Sequence, residues 1–184
     1  MRSLDLAYTG ESSAAQAIPL IQFWDNKIPD EVEKLIRGVA DANPEFDHLL
    51  FDDESAYEFI RSSYGLDMLK LYRSCAIPAM RADLFRYCFL AARGGVYVDA
   101  DFPAVGSMKP ILDANCVGCL YKRERGLTNS MMYFRDGKHL LAEKILETAV
   151  YNISNRTSNN VCQYPPLSMN VVGKMLGMLK VTTV

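Results

Sequence analysis

RADLFRYCFLAARGGVYVDADF, residues 81–102, passes from a helical pattern through two glycines into a short strand and ends in two carboxylates. Pro78 suits the first turn of a helix that runs on to Arg93, and Gly94-Gly95 is its stop. VYV (96–98) reads as a buried strand entering Asp99-Ala100-Asp101, and Pro103 prevents its continuation as a central strand. A helix that turns sharply into a buried strand is half of an α/β unit. In such domains ligands collect at the carboxyl ends of strands, so Asp99 and Asp101 stand at a ligand position.

The flanks extend the same pattern. IPLIQFW (18–24) is a short apolar run read as a buried strand, closed by a turn at 25–27. Pro29 opens a helix with Asp30, Glu31 and Glu33 in its first turn and Val32, Leu35, Ile36, Val39 and Ala40 on one stripe. FDHLLF (46–51) predicts a second strand, and the DDES that follows caps a helix over 54–63. A further helix is expected over 66–75, strands over 117–121 and 130–134, a helix over 138–150, a polar loop over 152–160 and an amphipathic helix over 168–180. The order βαβααβ with later strands and helices predicts an α/β layered domain: a mostly parallel sheet with helices on both faces.

The chain has 184 residues, which suits one domain burying about 70% of its unfolded surface. Residues 1–17 lack a sustained apolar period and are expected to be a loose leader, with the folded domain at 18–184. Twenty Lys plus Arg against twenty-two Asp plus Glu give a formal charge of −2, so no global positive field exists to hold a nucleic acid. No window approaches the ~18 consecutive apolar residues of a membrane span, and no apolar signal region follows Arg2. Five cysteines, an odd number scattered through apolar sequence, suit a reducing compartment, and a cytoplasmic location is the expectation. Cys116 and Cys119 have no second pair or nearby His to complete a zinc tetrahedron and are read as core thiols.

Two carboxylates one residue apart converge where the backbone turns out of a strand, offering hard oxygen donors suited to Mg²⁺ or Mn²⁺. An acidic turn solvated at a strand end is the plain alternative for an isolated pair. Here the pair has company. Asp83 and Arg86, at i,i+3, are charges on an otherwise apolar helix face, and either they cap the sheet edge as an internal ion pair or they face the same pocket. Trp24, the single Trp of the chain, is either core filler or a stacking plate at the sheet edge.

Ala82-Asp83-Leu84-Phe85-Arg86 followed by Gly94-Gly95-Val96-Tyr97-Val98-Asp99-Ala100-Asp101 resembles the (A/S)D-x-x-R…GG-x-Y-x-D-x-D signature of a sugar-transferase family. These are the DxD glycosyltransferases of capsular-polysaccharide and initiating-mannosyltransferase type (family 32-like), more distantly related to the clostridial glucosylating toxins. IPLIQFWDNKIP (18–29) is similar to the family's opening strand IPKIIHQIW. NPEFDHLLFDD (43–53) and LTNSMMYFRDGKHLLAEKIL (127–146) are similar to its second strand and to its later N-x-x-M loop and helix. The resemblance spans residues 18 to about 150.

The resemblance implies a GT-A fold, a single Rossmann-like domain that moves a hexose from a nucleotide-diphosphate sugar to a saccharide or lipid-linked acceptor. It implies a UDP-sugar before a GDP-sugar, a Mn²⁺ or Mg²⁺ ion, and retention of configuration. Carried over by position, Trp24 stacks on the base, Asp83 and Arg86 hold the donor sugar and its phosphate, and Tyr97 lines the nucleoside side. Asp99 contacts ribose or sugar hydroxyls and shares the ion at most through water, Asp101 ligates the ion directly, and Asn129 sits near the transferred sugar. Arg86 offers a planar fork for phosphate.

Departures accompany the likeness. The family's terminal segment with a Ser-Trp or His lid finds no counterpart before Val184, so a different or missing lid is expected, and PPLSMNVVGKML (165–176) is only loosely similar to the family's TGP helix start. His139 has a family-like place at a helix start. Lys122, Arg123 and Arg125 are either a solvated face or a patch for an anionic or lipid-linked acceptor with peripheral membrane contact. The rival readings are a nucleotide-sugar-binding domain without turnover and a phosphatase of the DxD-nucleophile type. The phosphatase motif lies near the N-terminus with Thr or Val two positions on, whereas Phe102-Pro103 follow here.

Overall fold

The computed structural model describes residues 17–155 apart from 26, 104–105, 114–115 and 124–125. The leader, the helix expected over 168–180, the 165–176 stretch, Cys162 and Arg125 lie outside the described residues, and so do the Lys122 and Arg123 side chains. The element order is β1 (Pro19–Phe23), α1 (Asp30–Asp41), β2 (Asp47–Phe51), α2 (Asp53–Ser74), α3 (Pro78–Arg93), β3 (Gly95–Val98), α4 (Lys109–Asp113), β4 (Gly118–Arg123), β5 (Gly126–Phe134) and α5 (Leu140–Ser154). The strands form one sheet in the order β2-β1-β3-β5-β4. β1 pairs parallel with β2 and β3, β5 runs antiparallel to β3, and β4 antiparallel to β5. Thus β5 alone of the described strands runs back, and the mostly parallel sheet read from the sequence is what forms.

Both faces of the sheet are covered, which is why β1 reads as an apolar run, interrupted by Gln22 alone, instead of an alternation. Ile21, Phe23 and Tyr97 face the first core, with Leu84, Phe85 and Cys88 of α3, Phe59 and Ile60 of α2, and Leu141 and Ile145 of α5. Leu20, Val96 and Val98 face the second, with Val39 of α1, Phe102 and Met108. Phe51, Phe59, Phe85 and Phe89 pack ring on ring with centroids 4.7–6.4 Å apart.

The turn from α3 into β3 needs glycine twice. Gly94 has φ 71° and Gly95 φ 102°, and an added Cβ would lie 2.7 Å from the Asp136 carbonyl carbon or 2.6 Å from the Pro19 oxygen. The Asp52 side chain caps α2, accepting from the Ser55 N–H at 2.8 Å while the Ser55 hydroxyl takes the Asp52 N–H.

The helices expected over 54–63 and 66–75 run on as one span, α2, but part at Gly65, whose backbone (φ 79°, ψ −168°) is not helical, so the break stands where the sequence reading put it. Three elements differ from the sequence reading. α5 continues to Ser154, so the start of the expected loop is helical, and Ile153 still packs on the first core. β5 begins at Gly126, four residues before the expected strand, because pairing with β4 extends it. The short α4 carried no sequence signal. His139 caps α5, accepting from the Leu141 N–H at 3.2 Å and packing on Phe134. The cysteine thiols at 75, 88, 116 and 119 are free, and burial pushes Cys119 up to about 12 and Cys75 up to about 11, as inert thiols require.

Candidate functional site

β1 is joined through α1 to β2 on one side, whereas β3 lies on its other side, so the carboxyl ends of β1 and β3 flank a topological switch point. Trp24 follows the end of β1 and Asp99 the end of β3. A cleft of about 440 Å³ opens there, and every candidate residue read from the sequence lines it: Trp24, Asp83, Arg86, Tyr97, Asp99, Asp101 and Asn129. Pro78 and Ala79 bring the first turn of α3 to the same wall, an end of a helix that favours negative charge.

Arg86 organises the floor. Its Nη2 lies 3.1 Å from Asp83 Oδ1 and its Nη1 2.9 Å from Asp99 Oδ1. Nη1 also donates to the Asn129 carbonyl at 2.7 Å, and Nε to the Ala82 carbonyl at 3.3 Å. The guanidinium carbon stands 4.1 Å from the Tyr97 ring centroid. Burial opposes its charge, but Tyr97, Asp83 and Asp99 outweigh that and hold it above its ordinary value. The two alternatives for the Asp83–Arg86 pair are therefore both met: it is an internal ion pair, and it faces the pocket. Because Arg86 is 5% exposed and its three nitrogens are all engaged, it is a hub for the acidic groups before it is an open fork.

Asn129 Nδ2 donates to Asp83 Oδ1 at 2.9 Å and to the Tyr87 hydroxyl at 2.8 Å, tying β5 to α3. Tyr97 is 1% exposed and its hydroxyl donates to Asp99 Oδ1 at 3.0 Å. Burial pushes that hydroxyl well above its ordinary value, so it acts as a neutral donor. With its ring in the core and Arg86 against it, Tyr97 offers a nucleoside little surface. Burial also pushes the Asp99 carboxyl up, against the pull of Arg86 and the Tyr97 hydrogen bond.

The chain turns directly after Asp99: the Phe102 N–H reaches the Asp99 carbonyl at 3.0 Å, and Asp101 is left exposed. The same carbonyl accepts from Gln22 Nε2 at 3.4 Å. A carbonyl can only accept, which fixes the Gln22 amide so that its oxygen faces His48 Nε2 at 2.8 Å and takes that N–H. Burial lowers His48, keeping the ring neutral at neutral pH. Gln22 and His48 were missed by the sequence reading, although a buried Gln inside IPLIQFW was a legible signal.

Trp24 is half-buried, its N–H donates to the Phe51 carbonyl at 2.9 Å, and it joins neither core. Trp24 lines the cleft. Asp25, beside it, lines the cleft and pairs with Arg81 of α3 at 3.2 Å. No spacing rule connects these two residues, which lie 56 positions apart.

A hard divalent cation takes about six oxygens. The chain supplies Asp101, engaged by no hydrogen bond or ion pair among the described residues, and Asp99, whose Oδ1 is already shared by Arg86 and Tyr97. Among the described residues no three His, Cys, Asp or Glu are gathered to hold an ion. This donor set fits a cation whose remaining oxygens come from a bound diphosphate, not a site closed by protein alone. Among the described residues no helix is long and apolar enough to cross a membrane.

Residues 29–118 match the model of a family described as the glycosyltransferase sugar-binding region containing the DXD motif. The chain is 31% identical over 137 residues to inositol phosphoceramide mannosyltransferase 3 of Schizosaccharomyces pombe, covering 73% of this chain and 38% of that protein. It is 36% identical over 102 residues to a mannosyl phosphorylinositol ceramide synthase of Saccharomyces cerevisiae, covering 53% and 26%. It is 40% identical over 89 residues to the initiation-specific alpha-1,6-mannosyltransferase of Candida albicans, covering 47% and 22%. The chain thus spans less than half the length of these relatives. Among solved structures it is similar to the PaToxG glycosyltransferase, with a TM-score of 0.66, 16% identity and coverage of 86% of this chain and 68% of that one. A UDP-bound glycosyltransferase domain from the YGT toxin gives a TM-score of 0.52 at 11% identity, with coverage of 90% and 68%. At these identities the structures speak to the fold, which is that of GT-A glycosyltransferases.

Proposed function

We propose that the chain, whose residues 29–118 match the DXD-containing sugar-binding region of a glycosyltransferase family, transfers a hexose from a nucleoside-diphosphate sugar to a hydroxyl of a saccharide or lipid-linked acceptor. The observation that carries this reading is the convergence of an exposed Asp101, the Asp83–Arg86–Asp99 cluster and the Trp24 ring in one cleft at the switch point. The names of the relatives favour mannose as the hexose and an inositol phosphoceramide or glycan acceptor.

In this reading Trp24 stacks on the base and the first turn of α3 faces the diphosphate. Asp83 and Asn129, held rigidly by Arg86 and Tyr87, present oxygens and an amide to the sugar hydroxyls. Asp101, with a lesser share from Asp99, would hold a divalent cation, which supplies neutralisation of the charge that builds on the leaving diphosphate. Arg86 holds Asp83 and Asp99 in place through its two ion pairs, so that both carboxylates keep their attitude at the cleft.

Retention by a covalent route needs a carboxylate nucleophile. The buried carboxylate of Asp83 and the half-buried one of Asp99 are instead bound to Arg86, which favours front-face substitution. The acceptor oxygen bonds to the anomeric carbon as the bond to the phosphate oxygen breaks, and that oxygen takes the acceptor proton.

A panel of UDP- and GDP-sugars with Mn²⁺, read by nucleotide release in the presence of saccharide and glycolipid acceptors, tests the proposal. Release from one donor class is expected. Binding of every donor without release would leave a binding domain, and hydrolysis of simple phosphoesters would indicate a phosphatase.

Trp24→Ala is expected to weaken nucleotide binding by about 1–3 kcal/mol, the cost of losing one base-aromatic stack, with little effect on stability. Nucleotide is expected to quench the fluorescence of this single Trp. Unchanged emission on adding UDP or GDP, together with a large fall in Tm for the variant, would return Trp24 to the core.

A further inference from the structure

Arg81 lies on α3, two residues before Asp83, and reaches Asp25, which lines the cleft next to Trp24. Its Nη2 pairs with Asp25 at 3.2 Å, its Nε with Asp53 Oδ1 at 2.9 Å, and its Nη1 donates to the Cys75 carbonyl at 3.3 Å. Asp53 Oδ1 is held in turn by the Tyr72 hydroxyl at 2.7 Å. One guanidinium thus joins three separate connections at the carboxyl edge of the sheet: the segment leaving β1, the first residue of α2 after β2, and the passage from α2 to α3. The Arg81 and Asp25 side chains keep 21% and 14% of their exposure, so this is a partly desolvated network and not one of the exposed pairs that contribute little.

Its consequence falls on Trp24. The backbone of Trp24 is fixed on one side by its N–H bond to the Phe51 carbonyl. On its other side the next residue, Asp25, is fixed by Arg81. The ring is half-buried and belongs to neither core, and these two anchors fix the stretch of backbone that carries it. We infer that Arg81 is a positioning residue for nucleotide binding: through Asp25 it holds the Trp24 ring in the attitude that receives the base. The inference rests on the nucleotide reading proposed above. The hydrogen bonds and ion pairs described for Arg81 go to Asp25, Asp53 and the Cys75 carbonyl, on the Trp24 side of the cleft.

Titrations of the full chain with UDP and with GDP, followed by Trp24 fluorescence with and without Mn²⁺, test this. Arg81→Met keeps the apolar stem and removes the fork. A loss of affinity of about five- to tenfold is expected, a part of what a whole base stack is worth, and the same factor is expected with and without Mn²⁺. Arg81→Lys, able to reach one carboxylate at a time, is expected to lie between Arg81→Met and the wild type. In a Trp24→Ala background, where isothermal calorimetry replaces fluorescence, Arg81→Met is expected to cost nothing further.

Wild-type affinity in Arg81→Met would overturn the inference alone. So would a loss that persists undiminished in the Trp24→Ala background, or a loss confined to the Mn²⁺-bound state, since either would mean that Arg81 acts through general stability or through the metal end. Should wild-type protein bind neither nucleotide, the nucleotide reading itself would fall.

Discussion

Asp101→Asn is expected to abolish cation-dependent nucleotide release while leaving the fold and melting temperature close to wild type. Asp101 is exposed at the end of the turn that follows β3 and supports no core contact, so the substitution removes a charged oxygen and little packing. Loss of residues that merely orient metal ligands costs about 10–100-fold, and a direct ligand is worth at least as much. Nucleotide release below about a tenth of wild type at saturating Mn²⁺ is therefore predicted. Activity above that level would remove Asp101 from the role proposed for it. Asp99→Asn is expected to be harmful for a different reason, because it disturbs the bonds to Arg86 and Tyr97 as well as any share in the cation.

Arg86→Met is expected to damage the fold more than any substitution at the exposed rim. The stem volume is kept, but the carboxylates of Asp83 and Asp99 lose the cation between them in a region where Arg86 itself is 5% exposed. Breaking a buried pair from one side costs about 3–5 kcal/mol. The pH dependence follows from Asp99, whose folded value burial already raises. A raised carboxyl gives the folded state an advantage that is complete below the unfolded value and is lost as pH rises through the folded one. Without Arg86 the folded value rises further, so the deficit of the variant is expected to be largest at neutral pH and to shrink on acidification into the carboxylate range. Urea unfolding across that range measures it. A deficit under about 1 kcal/mol at neutral pH, or one that grows on acidification, would mean that Arg86 is not compensating these two carboxylates.

The residues that make the site were more legible in the sequence than the bonds between them. Asp83, Arg86, Asp99 and Asp101 announce themselves as charges on a helix and a strand that are otherwise apolar, and Gly94-Gly95 fixes how those two elements meet. What spacing could not say is that Arg86 would be consumed by its neighbours, or that Tyr97 would lie under it instead of against a nucleoside, since both depend on the distance across a sheet edge. Arg81 and Asp25 were invisible for the same reason: they meet only because α3 packs beside the end of β1. Gln22 was the reverse case, a buried amide in an apolar strand whose need for a partner could have been asked at once. In the fold, the break at Gly65 was legible as the gap between two expected helices, whereas the extra turn of α5 escaped because a continuing core contact overrides local pattern.

In the proposed function Asp101 and a bound diphosphate share one cation, each supplying oxygens that the other lacks. Coupling of this kind is reciprocal, so whatever factor the diphosphate adds to Mn²⁺ affinity must reappear in the affinity for the diphosphate, on a scale of about 1–3 kcal/mol. Titration calorimetry of Mn²⁺ with and without UDP or GDP, and of the nucleotide with and without Mn²⁺, measures both halves after correction for chelation by free nucleotide. Weak Mn²⁺ binding by the protein alone, strengthened by the nucleotide and matched by an equal gain in nucleotide affinity, is the predicted result. Equal Mn²⁺ affinity with and without nucleotide would contradict it.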